Sequence, residues 1–476
     1  MGNTTKKRPD LKAIPMLKHE SLYVGIDIGK TKHVAGFVSA TLLERHERFE
    51  GCPAFSFEQS REGFQSLIDR ICLYCPLEQV SVLLEHTGHY HRPLEQYLLE
   101  QDITVYRIHV QKRQVGTIKT DKRDALSLAN QLYNQLALGV QVVDKSQLVH
   151  RDVPPTETAA QLKSLTRHRY ELSQECTQRR NKLTSLCDEI FPEYTTIFKD
   201  PNREVALALR EKFPTPQAVA TASMAALCEV RKRNHPSAAQ LAQLQNLARQ
   251  SIGTKDLARL RGLIIEQEQL INELRLLQGH LQRLDDEIEN IVTYSREGQI
   301  LISMGIGPVS SASIIATIGS IANFERPGDL RSYFGWAPLE DQTGISYDRA
   351  SLTPRGNRMI KQIMYLVVWS VIKKKESEWS KIYERLVPRL CSYDERTRAY
   401  KGKGKVIGRI AGQMIGMMYA LLKKDLETLK GLAPGEKPPD PMLYDPEVHR
   451  LHQAGYYRSL KPGTRPRSLI HQVPKP

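Results

Sequence analysis

Four carboxylates in the first third of the chain have the types and spacing for phosphoryl chemistry. Asp27 ends the run Tyr23-Val24-Gly25-Ile26-Asp27, and Glu85 ends Val80-Ser81-Val82-Leu83-Leu84. Asp121 and Asp124 stand one helical turn apart and so face the same way. Each acid alone has a plainer use, as a strand-end charge, a turn aspartate or the acidic first turn of a helix. Drawn from three elements, they can converge at one end of a sheet. Such a cluster repels itself unless divalent cations neutralise it. Mg²⁺ suits hard oxygen donors and phosphate bridging, and two ions about 4 Å apart stabilise both the entering and the leaving oxygen of a phosphodiester.

A second stretch offers hydroxyls and arginines. It reads Asp341-Gln342-Thr343-Gly344-Ile345-Ser346-Tyr347-Asp348-Arg349-Ala350-Ser351, then Thr353-Pro354-Arg355-Gly356-Asn357-Arg358. As a loop beside a helix start it can hold a nucleophile with a phosphate clamp. No histidine is near to act as base, and a solvated loop is the plainer reading.

The elements that must position these groups follow from periodicity. Residues 21–150 alternate strand and helix signals. A strand–turn–strand pair punctuated by Gly29 comes first, with a third strand expected within Phe49–Phe57. A helix with Phe64, Leu67 and Ile68 on one face follows. The Glu85 strand, a helix from Pro93 to about Gln101 and a strand over 103–110 come next. Thr120 offers an N-cap for the helix that carries Asp121 and Asp124. This pattern predicts a mixed α/β sheet covered by helices, of the ribonuclease-H-like kind that opens with a metal-binding aspartate.

Pro154-Pro155 mark a linker. Residues 158–190 carry Leu162, Leu165, Leu172, Leu183, Leu186 and Ile190 on a seven-residue register. Residues 257–292 carry two such columns, with Gln267 the one polar member. That predicts a coiled coil, either between these two helices or with another protomer. Pro192, Pro214, Pro216 and Pro236 break 191–253 into short helices. Residues 299–321, with Gly305-Ile306-Gly307-Pro308 at their centre, suggest a helix-hairpin-helix whose turn amides can hold a phosphate. The segment from Pro434 onward is rich in Pro and charge and is expected to be extended or disordered. The domains are therefore expected as a basic arm (1–20), an α/β domain (21–150), a helical region with insertion (156–297), a mainly α domain (298–425) and a basic tail (426–476).

The 476 residues carry 68 Lys and Arg against 53 Asp and Glu, a net charge of +15. From Leu386 to Pro476 there are 17 basic and 8 acidic residues, so most of the excess lies there. That balance favours a polyanionic partner such as nucleic acid. The seven cysteines are scattered; Cys72 and Cys75 form one CxxC, and no second pair completes a zinc site. They read as reduced thiols in a cytosolic protein. No apolar run reaches the length of a membrane span and no signal sequence opens the chain, so a soluble, cytoplasmic protein is expected. Lys401-Gly402-Lys403-Gly404-Lys405 is not a P-loop.

Taken together, the chain resembles IS110/IS1111 transposases. The first block is Gly25-Ile26-Asp27-Ile28-Gly29-Lys30, Leu84-Glu85-His86-Thr87-Gly88 and Lys119-Thr120-Asp121-Lys122-Arg123-Asp124-Ala125. The second is Met304-Gly305-Ile306-Gly307-Pro308, Tyr333-Phe334-Gly335-Trp336-Ala337-Pro338 and Ser351-Leu352-Thr353-Pro354-Arg355-Gly356-Asn357. The resemblance implies a DEDD set (Asp27, Glu85, Asp121, Asp124) holding Mg²⁺ on a RuvC-like fold. It also implies a C-terminal serine that attacks DNA, and a noncoding RNA partner that selects the DNA. The family's Ser-Gly is Thr343-Gly344 here, so the implied nucleophile is Ser346, with Thr343 the nearest alternative and Ser351 a third. The expected assembly is a homo-oligomer, a dimer or tetramer, without membrane contact. Two other classes remain at this stage. One is an actin-like sugar kinase, on the likeness of Asp27-Ile28-Gly29-Lys30-Thr31-Lys32 to its first phosphate loop. The other is a nucleic-acid-binding protein without catalysis.

Overall fold

The strand β1 (Leu22–Asp27) is the axis of the first of two units, which covers residues 1–153. The computed structural model describes residues 14–17, 19–85, 88–108, 120–141, 149–151, 153–230, 235–343, 347–352, 356–433 and 435–452. After β1 come β2 (Lys32–Val38), α1 (Ala40–His46), β3 (Ala54–Glu58), α2 (Arg61–Cys72), β4 (Val80–Glu85), α3 (His91–Glu100), β5 (Thr104–Ile108), α4 (Asp121–Leu136) and the two-residue β6 (His150–Arg151). The sheet order is β3-β2-β1-β4-β5-β6. β1, β4 and β5 are parallel neighbours, while β2 is antiparallel to both β1 and β3.

Period-two alternation sends successive side chains of each strand to opposite faces. Leu22, Val24 and Ile26 join Leu67, Ile71, Leu94 and Leu98 from α2 and α3 in one core. Tyr23 and Leu83 point the other way and pack with Leu128 and Leu132 of α4. At Gly25 and Gly36, which face each other across β1 and β2, the α4 backbone lies directly on the strands. A Cβ at Gly25 would come within 2.2 Å of the Ala129 amide, and one at Gly36 within 2.7 Å of the Leu126 amide.

The second unit, residues 154–476, is mostly helical. α5 (Glu157–Ile190) leads through α6 (Tyr194–Ile197), α7 (Glu204–Lys212), α8 (Pro216–Thr221), α9 (Met224–Cys228) and α10 (Ala238–Arg249) to α11 (Leu257–Tyr294). Then come α12 (Arg296–Ser303), α13 (Pro308–Ile318), α14 (Pro327–Tyr333), the hairpin β7 (Pro338–Thr343) and β8 (Tyr347–Leu352), α15 (Arg358–Ile372) and α16 (Glu378–Leu390). A small hairpin, β9 (Ser392–Asp394) and β10 (Ala399–Lys401), precedes α17 (Gly404–Lys430) and α18 (Pro446–His452).

α5 and α11 pair antiparallel within the chain. Arg169 meets Asp285, Arg179 meets Glu273 and Lys182 meets Glu266, the partner numbers falling as the first rise. At one end Ala159, Leu162, Ile288 and Val292 enter the core built from α12 to α17. At the other, Leu183, Leu186, Ile190, Leu270 and Leu274 pack with α6 to α10. Gln267, the polar member of its heptad column, is buried there. Its Oε1 accepts from Arg210 Nε at 2.9 Å and its Nε2 donates to the Arg210 carbonyl at 3.3 Å. The rest of the Arg210 guanidinium donates to the carbonyls of Leu183 (2.9 Å) and Pro201 (3.3 Å). The insertion is thereby tied to the long helices by a satisfied polar group in an apolar setting. Gln267→Leu should strand a buried donor and lower stability by about 2 kcal/mol. The double variant Gln267→Leu with Arg210→Met should recover much of that loss in urea unfolding; a purely additive pair would show that the coupling is absent.

Four sequence expectations need correction. Residues 341–343 and 347–351 are not loop but lie in the paired strands β7 and β8. The third strand is Ala54–Glu58, preceded by a 3-10 turn at Phe49–Gly51. Past Pro434, residues 435–452 pack against the unit rather than trailing: the Tyr444 amide donates to Ser303 Oγ at 2.9 Å, and Trp379 stacks on Tyr444 and His449. α17 also continues to Lys430, so the expected tail boundary at 426 falls inside a helix.

Candidate active site

Asp27 is the last residue of β1 and Glu85 the last of β4, two parallel strands whose register runs through Ile26 opposite Leu84. The two acids therefore end adjacent strands, which lie about 4.8 Å apart. Asp27 shares its face with Gly25, and Glu85 shares its face with Leu83. That is the face α4 covers. α4 runs back along β1: its Tyr133 ring meets Tyr23 at 5.5 Å near the strand start, and Ala125 and Ala129 lie over Gly25. Its first turn, carrying Asp121 and Asp124, is thus directed to the end of the sheet where Asp27 stands. Thr120 caps that turn by accepting from the Arg123 amide at 3.3 Å. Asp124 is half-buried, as are Asp27 and Glu85, whereas Asp121 is exposed.

Asp27 and Glu85 thus end neighbouring strands on one face, and the turn that carries Asp121 and Asp124 is directed to the same end. Among the described residues, no three Asp, Glu, His or Cys side chains form a group that could hold a metal ion. The donor chemistry fits a hard divalent cation, since all four are carboxylates on a shared face. Like charges stand apart unless a cation draws them together.

A support that sequence reasoning missed lies behind the Asp27 turn. His33 is fully buried, and its Nδ1 accepts from the Gly29 amide at 3.3 Å. An accepting Nδ1 puts the ring proton on Nε2, which faces Gln59 Oε1. Gln59 Nε2 in turn donates to the Tyr90 carbonyl at 3.1 Å. Burial, partly offset by the Gln59 bond, pushes the His33 pKa below its ordinary value, so the ring stays neutral. The signal was a lone histidine in an apolar strand, between Phe57 and Phe64 in space.

In the second unit the hydroxyl stretch is organised by its hairpin. β7 and β8 pair from Pro338↔Leu352 at the base to Thr343↔Tyr347 beside the tip. Thr343 ends β7. Ser346 lies outside the described residues, in the three-residue connection 344–346. Ser351 pairs with Leu339 near the base, about 13 Å along the strand from Tyr347. The base is stitched by the flanking motifs. Gly356, at φ +104°, lies so close to Gly335 that a Cβ would come within 2.6 Å of the Gly335 amide. The Asn357 amide donates to the Tyr333 carbonyl at 3.1 Å, and Asn357 Oδ1 caps α15 by accepting from Met359 and Ile360. Arg355 falls outside the described residues. No described helix is long and apolar enough to cross a membrane.

Both stretches match known families. Residues 24–192 match the IS110 DEDD family, described as transposase, and residues 299–384 match the transposase IS116/IS110/IS902 family. The chain is 24% identical over 361 residues to the insertion element IS116 uncharacterized 44.8 kDa protein of Streptomyces clavuligerus, covering 73% of this chain and 84% of that one. It is 22% identical over 318 residues to the insertion element IS110 uncharacterized 43.6 kDa protein of Streptomyces coelicolor, covering 65% and 71%. A shorter likeness, 25% over 97 residues, covers 20% of this chain and 29% of a probable family 20 transposase of Pseudomonas aeruginosa. All four acids fall within the first match and the whole hydroxyl hairpin within the second. The chain belongs to the IS110 family of insertion-element transposases, enzymes that cleave and recombine DNA.

Proposed function

We propose that this transposase cuts and exchanges DNA strands by metal-assisted transesterification onto a hydroxyl of its own. The observation that carries the reading is the placing of Asp27 and Glu85 at adjacent strand ends under the acidic first turn of α4. The order β3-β2-β1-β4-β5, in which only β2 runs antiparallel, with the two-residue β6 antiparallel at its edge, supports a ribonuclease-H-like, RuvC-type assignment for that unit. Asp27, Glu85, Asp121 and Asp124 would hold Mg²⁺. Bound there, the metal supplies charge neutralisation at the scissile phosphate. The neutral His33 holds the Gly29 turn, and with it the Asp27 backbone, in place.

Ser346 is the proposed nucleophile, with Thr343 as the alternative. Its oxygen forms a bond to phosphorus, the bond from phosphorus to the leaving sugar oxygen breaks, and that oxygen departs as a hydroxyl with the proton the serine loses. The phosphoester keeps the bond energy, so rejoining needs no outside energy source. Arg349 and Arg355 flank the hydroxyls and would offset charge on the phosphate. The α12–α13 turn is read as a helix-hairpin-helix that grips the backbone, with Lys374 Nζ on the Gly305 carbonyl at 3.1 Å beside it. The α5–α11 pair is read as a coiled coil. A guide RNA on the basic C-terminal region, and a homo-oligomer acting on DNA in the cytoplasm, complete the proposal.

A suicide DNA substrate tests the covalent step. The wild type should trap a protein–DNA adduct. Ser346→Ala should lose it and Thr343→Ala should keep it. The reverse pattern would move the nucleophile to Thr343, and no adduct in the wild type would reject the hydroxyl mechanism.

A further inference from the structure

At and beyond the end of the second matched stretch, α16, α17 and α18 line a cavity of about 550 Å³. Its wall carries Arg385 and Arg389 one turn apart on α16, Arg409 from α17 and Arg450 from α18. Glu378 is the only acid among its lining residues, and it pairs with Arg450 at 3.4 Å. Arg385, Arg389 and Arg409 make no ion pair among the described residues. His449 adds no charge: burial pushes its imidazole down to about 4, and its Nδ1 shares a 2.7 Å hydrogen bond with the Tyr444 hydroxyl. Two arginines at i and i+4 repel each other along a helix, a small cost that an anion between them removes. The wall also holds an acceptor without a donor, the buried Oε1 of Gln413.

We propose that this cavity seats one nucleotide unit of a bound nucleic-acid strand, its phosphate held by Arg385, Arg389 and Arg409 and its sugar or base edge donating to Gln413. Three unpaired guanidinium groups match the spread oxygens of a phosphate, and each can offer a two-pronged fork. A bare phosphate diester brings no hydrogen for Gln413 Oε1, whereas a ribose hydroxyl or a base N–H does. The volume falls in the usual range for enclosing a small organic ligand, more than one phosphate group needs. The three arginines and Gln413 all lie after residue 384, where the second family match ends. The site is therefore built largely from residues after that match, closed on one side by the packed segment that ends in α18. The inference rests on the nucleic-acid reading given under Proposed function.

The test is fluorescence anisotropy on the full chain with short oligouridylate and oligothymidylate at several salt concentrations, beside DNA cleavage. The triple variant Arg385→Ala, Arg389→Ala, Arg409→Ala should bind about tenfold or more weakly. Its log affinity should fall less steeply with log salt, by about 0.7, the value for one single-strand phosphate contact. Replacing the same three by Lys should restore the slope but only part of the affinity. Gln413→Leu should weaken binding several-fold with the slope unchanged. A stronger effect on oligouridylate assigns the strand to RNA, and one on oligothymidylate to DNA. If the triple variant keeps its fold by circular dichroism and binds like the wild type, the pocket inference fails while the transposase reading stands. An unaffected Gln413→Leu, or polyglutamate competing as well as either oligonucleotide, overturns the nucleotide assignment. If the wild type binds neither strand, both readings fall.

Discussion

Asp27→Asn is expected to abolish DNA strand cleavage, lowering its single-turnover rate about 10³-fold or more. The change keeps shape and volume and removes one charge at the end of β1, where Glu85 ends the neighbouring strand. Nucleic-acid binding should stay within about twofold, because phosphate contacts come from basic groups elsewhere. Stability supplies a readout that does not depend on turnover. With chelator present, the variant should melt at the same temperature as the wild type or slightly higher, since a like-charge repulsion is relieved. Added Mg²⁺ should raise the melting temperature of the wild type and do so less for the variant, because a ligand stabilises only the state that binds it. Full cleavage by Asp27→Asn would reject the metal-holding role for this acid.

Gly25→Ala should be nearly as damaging, although the residue carries no chemistry. The added Cβ would sit 2.2 Å from the Ala129 amide nitrogen and 2.3 Å from the Ala125 carbonyl oxygen. Both are backbone atoms of α4, so no rotamer change relieves the clash. α4 must lift, at a cost of about 3 kcal/mol. Lifting it also shifts Asp121 and Asp124 against Asp27, and a misplacement of about 1 Å can cost about 100-fold in rate. Gly262→Ala is the matched control: it lies in α11 with open space around its Cβ and should stabilise slightly. Urea unfolding and cleavage assays on both variants decide the matter. A Gly25→Ala protein with native stability and rate would show that the helix does not depend on this close approach.

Much of the architecture was legible from local pattern. Strand ends at Asp27 and Glu85, the Thr120 cap and the two long helices all follow from alternation, caps and heptads. What escaped depends on partners distant in the chain. Gln267 looked like a flaw in its heptad because Arg210, which satisfies it, lies 57 residues away. The height of α4 is set by Gly25, Gly36, Ala125 and Ala129, whose small size has no periodic signature. The β7–β8 hairpin escaped because Glu340, Asp341, Gln342 and Thr343 are all polar, so no apolar alternation marks a strand. The segment around Tyr444 reads as a charged, proline-rich tail until Trp379, 65 positions earlier, gives it a stacking partner.

The place where the short helices join α5 and α11 has a consequence for how such a chain can change. The Thr254 amide donates to the Glu189 carbonyl at 3.0 Å, and Arg259 pairs with Glu189, so departure and return points touch. The closure entropy of a segment spliced between two such points rises only slowly with its length. Evolution can therefore lengthen, trim or swap this bud at the far end of a roughly 50 Å stalk without retuning the α12–α17 core at its root.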